Sequence, residues 1–363
     1  MSSASPALGF PFAETPAAGA WLAVAPGVHW VRMPLPFALD HINLWLLDDE
    51  IDGRRGFTLV DCGVDTGATR AAWEQLFDGP MAGLPLLRVI ATHFHPDHLG
   101  LAHWLCEGGD RKRWRAPLSM SAGEYATGRF LAQQTGAAGV AAGERAADFY
   151  AAHGLAAEVS MAGLKARGSG HFTRLVPAVP TSYHRLFAEA QLAIGPAGAK
   201  RVFRLMVGYG HSVEHVSLFC AADHLLISGD MVLPRISTNV SVYDLDPEAD
   251  PLPRYLRSLD HYLMLPADTL VLPSHGLPFT GLHLRVAEQH AHHAARLEEV
   301  LRAACTTPKS AAEIVPVLFR RELDAHQLGF ALGEAIAHLH ALWHEGSLSR
   351  SRGADGVYRF LAS

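Results

Sequence analysis

The chain is poor in cysteine. Its 363 residues include four cysteines, Cys62, Cys106, Cys220 and Cys305, which are widely separated and show no CxxC spacing. A thiolate-bound structural zinc needs closely spaced cysteine pairs, and a chain of this length can bury a core without disulfides. We therefore expect reduced thiols and a cytoplasmic protein.

Long apolar runs and an excess of positive charge are also missing. No stretch of about 18 uninterrupted apolar residues occurs, so no membrane-spanning helix is expected. The Ser/Ala/Pro-rich segment Met1–Ala20 lacks the basic start of a signal peptide. The formal net charge is -6, which argues against a broad basic surface for nucleic acid. These absences favour a small-molecule substrate over a nucleic-acid or membrane partner.

Strand and helix patterns alternate along the chain, which predicts an α/β fold. Apolar and β-branched runs predict strands over 27–36, 41–47, 56–60, 86–91, 201–207, 216–220, 224–228 and 269–273. Helical periodicity is present over 66–77, 281–304, 310–319 and 328–343. We expect an N-terminal extension (1–24), a main domain (25–304) with a helical insertion at about 119–200, and a small domain (305–363).

The chain is rich in histidine, with 22 residues, and some of them cluster. His93, His95, Asp97 and His98 lie within six residues, directly after a predicted strand. Alternate side chains of an extended segment point the same way, so His93 and His95 can face one cation. Asp97 and His98 follow where the chain turns and can reach a second cation. Imidazole and carboxylate ligands suit Zn²⁺ and similar ions, so the cluster predicts a metal site rather than a polar surface loop.

This His-x-His-x-Asp-His pattern resembles the signature of the metallo-β-lactamase superfamily. Further motifs of that family follow in the expected order: an Asp-x-Gly turn at Asp61, Gly-His-Ser at 210–212, the strand-ending Asp230 and the strand-following His275. The resemblance implies an α/β fold, a four-layer αβ/βα sandwich with a helical insertion. It also implies a dinuclear metal centre.

The resemblance assigns the ligands residue by residue. One ion would be held by His93, His95 and His211, the other by Asp97, His98 and His275, and Asp230 would bridge the two. Asp61 would orient a ligand histidine, although a turn or helix-capping role explains it equally well. His215 would contact a ligand or the core.

Two positions bear on the type of centre. Family members that reduce oxygen with iron usually have Glu at the position of His95, and the best characterised β-lactamases have Cys at the position of Asp230. Sulfur dioxygenases lack the full second site, whereas this chain has all its ligands. The resemblance thus implies a hydrolase of the glyoxalase II, lactonase and ribonuclease type. We expect two divalent ions, Zn²⁺ first, with Mn²⁺ or Fe²⁺ as alternatives.

The predicted reaction is the attack of a metal-bridging hydroxide on an ester, lactone or thioester. Asp97 and Asp230 are the catalytic candidates, Asp97 by orienting the nucleophile or moving a proton. Tyr209 and Tyr243 are candidate substrate contacts, although a packed aromatic role explains each of them as well.

Two alternatives remain open, because residues 306–363 resemble the small winged-helix domain of the lactamase-β-like endoribonuclease branch. One is a phosphodiesterase or endoribonuclease acting on RNA, and the other is a ligand-sensing protein that binds nucleic acid. The segment has six basic and six acidic side chains, however, and phosphate contact normally needs clustered cations. A structural or homodimer-forming role is the stronger prediction for this domain.

Overall fold

The computed structural model describes residues 7–37, 39–156 and 171–363. The strands are β1 (Trp21–Ala25), β2 (Val28–Pro34), β3 (His41–Ile51), β4 (Arg54–Val60), β5 (Leu86–Ile90), β6 (Leu118–Met120), β7 (His184–Arg185), β8 (Gln191–Ile194), β9 (Arg201–Gly208), β10 (His215–Cys220), β11 (Leu225–Gly229), β12 (Leu270–Pro273), β13 (Leu348–Arg352) and β14 (Tyr358–Ala362). The helices are α1 (Gly67–Asp78), α2 (Pro96–Leu99), α3 (Ala102–Cys106), α4 (Ala122–Ala132), α5 (Gly136–Ala152), α6 (His171–Leu175), α7 (Pro251–Asp260), a 3₁₀ turn (His261–Met264), α8 (Leu282–Ala303), α9 (Ala311–Leu318) and α10 (Ala325–His344). Within these ranges, no helix is both long and apolar enough to cross a membrane.

The first sheet has the strand order β1-β2-β3-β4-β5-β6-β7. Its first four strands are antiparallel, whereas β4, β5, β6 and β7 run parallel to one another. The segment His93–His98 follows β5, so it lies at the edge where the parallel strands end. Pro96 starts helix α2 there, and its fixed φ suits a first helical position.

The second sheet has the strand order β12-β11-β10-β9-β8. Strand β10 is antiparallel to both β9 and β11, and β11 is parallel to β12. The start of β10 therefore lies beside the ends of β11 and β12. His211 precedes β10, Asp230 follows β11 and His275 follows β12, so strand direction alone brings these three residues to one edge.

Three buried apolar clusters define four layers. One fills the space between the two sheets and includes Trp30, Trp45 and Phe203. A second packs the outer face of the first sheet against α1 and α3, and a third packs the second sheet against α7 and α8. The sequence prediction of a four-layer αβ/βα sandwich is confirmed.

The chain after α8 forms a small helical unit with a hairpin. Helices α9 and α10 pack on α8, and β13 pairs with β14 in antiparallel register. A capping box at Ser310 starts α9, because its hydroxyl accepts from Glu313 N and the Glu313 carboxylate accepts from Ser310 N. This unit shares its apolar cluster with the second sheet and its helices.

The observed elements depart from the predicted ones in several places. The segment predicted as a helical insertion does hold α4, α5 and α6, but it also contains β7 and β8, and residues 157–170 lie outside the described part. The predicted N-terminal extension ends in β1, which pairs with β2, and residues 1–6 are not described. Helix α7 was not predicted from sequence, and Pro251 and Pro253 stand in its first turn, where proline is tolerated.

Candidate metal centre

Seven His and Asp side chains converge where the two sheets meet. The structure forms two groups whose ligand atoms lie within 4.8 Å of one another: His93, His95, His211 and Asp230, and Asp97, His98 and His275. The two groups come from both sheets, since β5 leads into His93–His98 and the second sheet supplies the others. All seven ligands predicted from the sequence are therefore brought together.

The carboxylate of Asp230 faces both groups. Its Oδ2 lies 3.5 Å from Nε2 of His211 and 3.6 Å from Nε2 of His98, and its Oδ1 lies 3.4 Å from Nε2 of His275. One oxygen thus points between the two groups and the other towards the second. This is the placement that a ligand shared by two ions requires.

Three histidines among the predicted ligands have an oxygen atom beside their Nδ1. Nδ1 of His98 lies 2.8 Å from Oδ2 of Asp61. Nδ1 of His211 lies 2.7 Å from the Asn239 carbonyl oxygen, and Nδ1 of His275 lies 2.9 Å from the His41 carbonyl oxygen. A carbonyl only accepts, so Nδ1 carries the proton in the last two, and a neutral ring then offers its Nε2 lone pair to the cluster.

The first group is a set of neutral imidazoles. Burial, followed by the neighbouring histidines, holds the pKa of His93 well below its usual value, and burial and His211 lower the pKa of His95 to about 3. Because the rings are uncharged, their nitrogens can approach closely: Nε2 of His93 lies 2.9 Å from Nδ1 of His95 and 3.2 Å from Nε2 of His211. Three imidazole nitrogens converging this closely form a suitable binding site for one divalent cation.

The histidines of the second group face two carboxylates, Asp97 within the group and Asp230 beside it. Burial would lower the pKa of His275, but Asp230 and Asp97 raise it to about 10. Burial would likewise raise the pKa of Asp97, but His98 and His275 lower it to about 2. The field of the two carboxylates therefore favours positive charge at this point.

Two buried polar atoms at the centre have no hydrogen-bond partner within the described part of the chain. They are Nε2 of His98 and Oδ1 of Asp230. A buried polar atom without a partner costs about 1–3 kcal/mol, so such atoms need a ligand. With the donor set of five imidazoles and two carboxylates, these atoms fit a pair of divalent ions.

Asp61 and His215 lie directly behind the ligands. Asp61 accepts from the backbone N–H of Thr92 at 2.8 Å as well as facing His98, and it adopts a left-handed φ of 64°. Nε2 of His215 accepts from the backbone N–H of Asp230 at 3.1 Å, so it fixes the start of the loop that carries this carboxylate. Neither side chain belongs to the two ligand groups.

The two tyrosines predicted as substrate contacts are placed differently from each other. Tyr209 precedes the turn that carries His211, and the Tyr209 side chain is exposed. The backbone N–H of Tyr209 donates to Ser258 Oγ at 2.9 Å. Tyr243 is half-buried in the loop after β11. Neither phenol is in the ligand groups.

Three residues that hold the ligand-bearing segments were missed by sequence reasoning. Asn43 donates to the carbonyls of Pro273 and Gly276 on either side of His275, at 2.9 and 2.8 Å. The Asn239 carbonyl accepts from His211, and the buried Glu124 accepts hydrogen bonds beside both ligand loops. Each is far in sequence from the segment that it contacts, so local spacing carries no signal for it.

Similarity to known proteins agrees with this site. Residues 39–275 match the metallo-beta-lactamase superfamily, and residues 297–363 match the metallo-beta-lactamase-like, C-terminal domain. A beta-lactamase domain protein from Burkholderia ambifaria is 55% identical in sequence; the match covers 98% of each chain, with a TM-score of 0.91.

More distant relatives cover nearly the same length. The metallo-beta-lactamase family protein TTHA1429 from Thermus thermophilus is 27% identical with a TM-score of 0.73, over 94% of this chain and 100% of that one. The probable metallo-hydrolase YqjP of Bacillus subtilis is 23% identical over 349 residues, 90% of this chain and 96% of the relative. The chain belongs to the metallo-beta-lactamase superfamily and is a metal-dependent hydrolase of that fold.

Proposed function

We propose that the protein hydrolyses an ester-like bond, in an ester, lactone or thioester of small to medium size, with a dinuclear zinc centre. The observation that carries the proposal is the position of Asp230 between two complete ligand groups. Two bound divalent ions would lower the pKa of a shared water and polarise the carbonyl under attack.

The chain's own groups would orient the nucleophile. The Asp97 carboxylate has a pKa of about 2, so it stays ionised at neutral pH and can accept a hydrogen bond from an attacking water. Its Oδ2 lies 3.3 Å from Nε2 of His275, so these two atoms face the same point of the centre. Asp97 is thereby proposed to hold the water, and Asp230 to keep the two ligand groups in register.

The five imidazole ligands are uncharged as metal ligands, so only Asp97 and Asp230 bring negative charge to the centre. Two divalent ions would therefore leave a net positive charge there. This charge stabilises the oxyanion that develops when a carbonyl is attacked. The exposed Tyr209 beside the His211 turn is the proposed phenol donor to the substrate, with Tyr243 as a further contact.

The arginines of the C-terminal hairpin support a small-molecule substrate over RNA. Helices α9 and α10 followed by this hairpin suit the proposed winged-helix-like unit, and Arg350, Arg352 and Arg359 lie on its hairpin. Arg350 pairs with Glu248 at 2.9 Å, Arg359 pairs with Asp355 at 2.6 Å, and Arg352 donates to the Gly356 carbonyl at 2.9 Å. Arg350 and Arg359 are already paired with acidic side chains, so their charge is less available to phosphates.

A hydrolysis screen of the metal-loaded protein tests the proposal. The chelator-stripped protein would be reloaded with Zn²⁺ or Mn²⁺ and assayed on lactones, thioesters, carboxylic esters, phosphodiesters and single-stranded RNA, with Asp230→Ala as the inactive variant. His224→Asn is the matched control, since His224 lies in the turn at the opposite end of β10 and β11.

We expect two ions per wild-type chain and metal-dependent turnover of a carbonyl substrate, lost in Asp230→Ala and kept in His224→Asn. Fewer than two ions per wild-type chain would contradict the dinuclear centre. Turnover restricted to phosphodiesters or RNA would instead assign the protein to the phosphodiesterase alternative.

A further inference from the structure

A buried carboxylate of the insertion lies beside the metal centre. Glu124 is on α4 and is fully buried. Its Oε2 accepts from the backbone N–H of Phe94 at 2.9 Å, and its Oε1 accepts from Ser212 Oγ and from the backbone N–H of Glu214, both at 2.6 Å. Both carboxylate oxygens are therefore engaged, and by two different segments.

These two segments carry the whole imidazole set of the first ligand group. Phe94 lies between His93 and His95, and Ser212 follows His211 directly. One oxygen of Glu124 thus holds the loop after β5, in the first sheet, and the other holds the turn before β10, in the second. A rigid carboxylate shared in this way sets the distance between the two loops.

The rest of the α4 N-terminus strengthens the connection. The backbone N–H of Gly123 donates to the Glu214 carboxylate at 2.8 Å, and Ser121 Oγ donates to the Glu214 carbonyl at 2.9 Å. A Cβ at Gly123 would lie 2.8 Å from the Val213 side chain, so the two segments approach each other closely here. Helix α4 is therefore in direct contact with the turn that follows His211.

Retaining a carboxylate here is costly. Burial raises the pKa of Glu124 to about 7, against the hydrogen bonds from Ser212, Glu214 and Phe94 that lower it. An apolar side chain would avoid this cost, but it would leave the two backbone N–H groups unpaired and the loops unlinked.

We propose that Glu124 is a positioning residue that keeps His93, His95 and His211 at the spacing one metal ion requires. The proposal rests on the metal-binding role proposed for this cluster. It assigns the insertion, through α4, a part in metal affinity.

Glu124→Gln tests the proposal with little change of shape. An amide keeps one acceptor oxygen but turns an N–H₂ donor towards either Phe94 N–H or the Ser212–Glu214 turn, so one loop loses its acceptor. Asp49→Asn is the matched control: Asp49 is a buried carboxylate that likewise joins two segments, accepting from Thr58 Oγ1 at 2.6 Å and from Gly195 N–H at 3.0 Å. It lies near the end of β3 that is far from His41 and the ligands.

Zn²⁺ affinity would be measured by competition with a chromophoric chelator, and amide hydrogen exchange would be followed in the metal-free protein. Removal of an outer partner of a metal site typically weakens metal binding 10–100-fold, so we expect about a 10-fold higher Kd for Zn²⁺ in Glu124→Gln. Exchange should accelerate at Phe94 or Glu214. In Asp49→Asn, both the Kd for Zn²⁺ and the hydrogen-exchange rates of the Phe94 and Glu214 amides should match those of the wild type.

A folded Glu124→Gln variant with wild-type Zn²⁺ affinity and wild-type exchange at both amides would overturn the proposal. If that variant does not fold, Ser212→Ala serves instead, because it removes a single hydrogen bond to Oε1. An unchanged Kd in Ser212→Ala would then be the contrary result. Absence of Zn²⁺ binding by the wild type would contradict the metal centre itself, which is a distinguishable outcome.

Discussion

Nδ1 of His98 lies 2.8 Å from Oδ2 of Asp61, and both side chains are buried. The same carboxylate accepts from the backbone N–H of Thr92, the residue that precedes His93. Asp61 therefore fixes the ring of one predicted ligand and the backbone next to another. Burial would lower the pKa of His98, but Asp61, then Asp97 and Asp230, hold it well above its usual value.

Asp61→Asn should weaken metal binding without unfolding the protein. Asparagine tolerates the left-handed φ of 64° at this position, but it replaces one acceptor oxygen by a donor, so His98 or Thr92 loses its partner. We expect a Kd for Zn²⁺ about 10–100-fold higher, measured by chelator competition. Asp65→Asn is the control, since Asp65 pairs with Arg70. Equal affinities in Asp61→Asn and wild type would refute the orienting role.

Asp230→Ala should abolish turnover and lower the metal content. The carboxylate faces His211, His98 and His275, so its loss removes a ligand from both groups. We expect fewer than two bound ions per chain by elemental analysis and at least about a 100-fold fall in kcat/KM. Two retained ions together with wild-type turnover would show that Asp230 is not shared between them.

The convergence of the seven predicted ligands was foreseeable from sequence because these residues follow strand ends in short motifs. His93, His95, Asp97 and His98 lie within six residues. His211, Asp230 and His275 each follow or precede a strand with a recognisable apolar pattern. Strand direction then determines their meeting at one edge. Residues that fix the ligands, such as Asn43 and Glu124, have no such local context, since their partners are distant in the chain.

The fold was predictable where elements are long or strongly patterned. The predicted strand at 41–47 extends to Ile51, and the predicted helix at 281–304 is α8, Leu282–Ala303. Strands β6, β7 and β8 have two to four residues each and sit among Ala- and Gly-rich sequence. Such short strands are formed by pairing with neighbours, which the local sequence does not encode.

Asn43→Ala should reduce both stability and metal affinity. The side chain is fully buried; it accepts from Trp30 Nε1 at 2.8 Å and donates to the carbonyls that flank His275. Loss of these bonds leaves buried partners unpaired, so we expect the free energy of unfolding to fall by about 2–4 kcal/mol in urea titration. The Kd for Zn²⁺ should rise as well. Lower stability with unchanged zinc affinity would mean that His275 is held independently of Asn43.

Acidification should destabilise the fold through His153. Burial, then His340 and Arg350, lowers the pKa of this histidine to about 3, and its Nδ1 has no hydrogen-bond partner among the described residues. The unfolded chain binds the proton near pH 6.5, so it holds more protons than the folded chain between about pH 6.5 and 3. Stability is thus full above this window and falls as the pH drops into it.

His153→Phe should flatten that dependence. A single such group contributes at most about 1.4 kcal/mol per pH unit below pH 6.5, which urea titrations at pH 7, 6 and 5 would resolve. His184→Phe, at an exposed position of β7, is the control and should leave the slope unchanged. The same slope in wild type and His153→Phe would show that this histidine does not carry the effect.

Arg350→Lys should loosen the attachment of the C-terminal hairpin. The guanidinium makes two hydrogen bonds to Glu248, at 2.9 and 3.1 Å, and lies 3.7 Å from the centre of the Trp343 ring. Lysine keeps the charge but loses the two-bond geometry with Glu248 and the stacking on Trp343. Because Glu248 is half-exposed, we expect the free energy of unfolding to fall by only about 0.5–1 kcal/mol. The free energy of unfolding in urea would be compared with that of Arg115→Lys, an exposed control.

The same variant bears on nucleic acid. Because Arg350 is already paired within the chain, wild type and Arg350→Lys should both fail to retain single-stranded RNA in a filter assay at low salt. Salt-dependent retention by the wild type that weakens in Arg350→Lys would instead make the hairpin an RNA-binding surface.

Unchanged stability in Arg350→Lys would show that the contact with Glu248 and Trp343 does not hold the hairpin on the main domain.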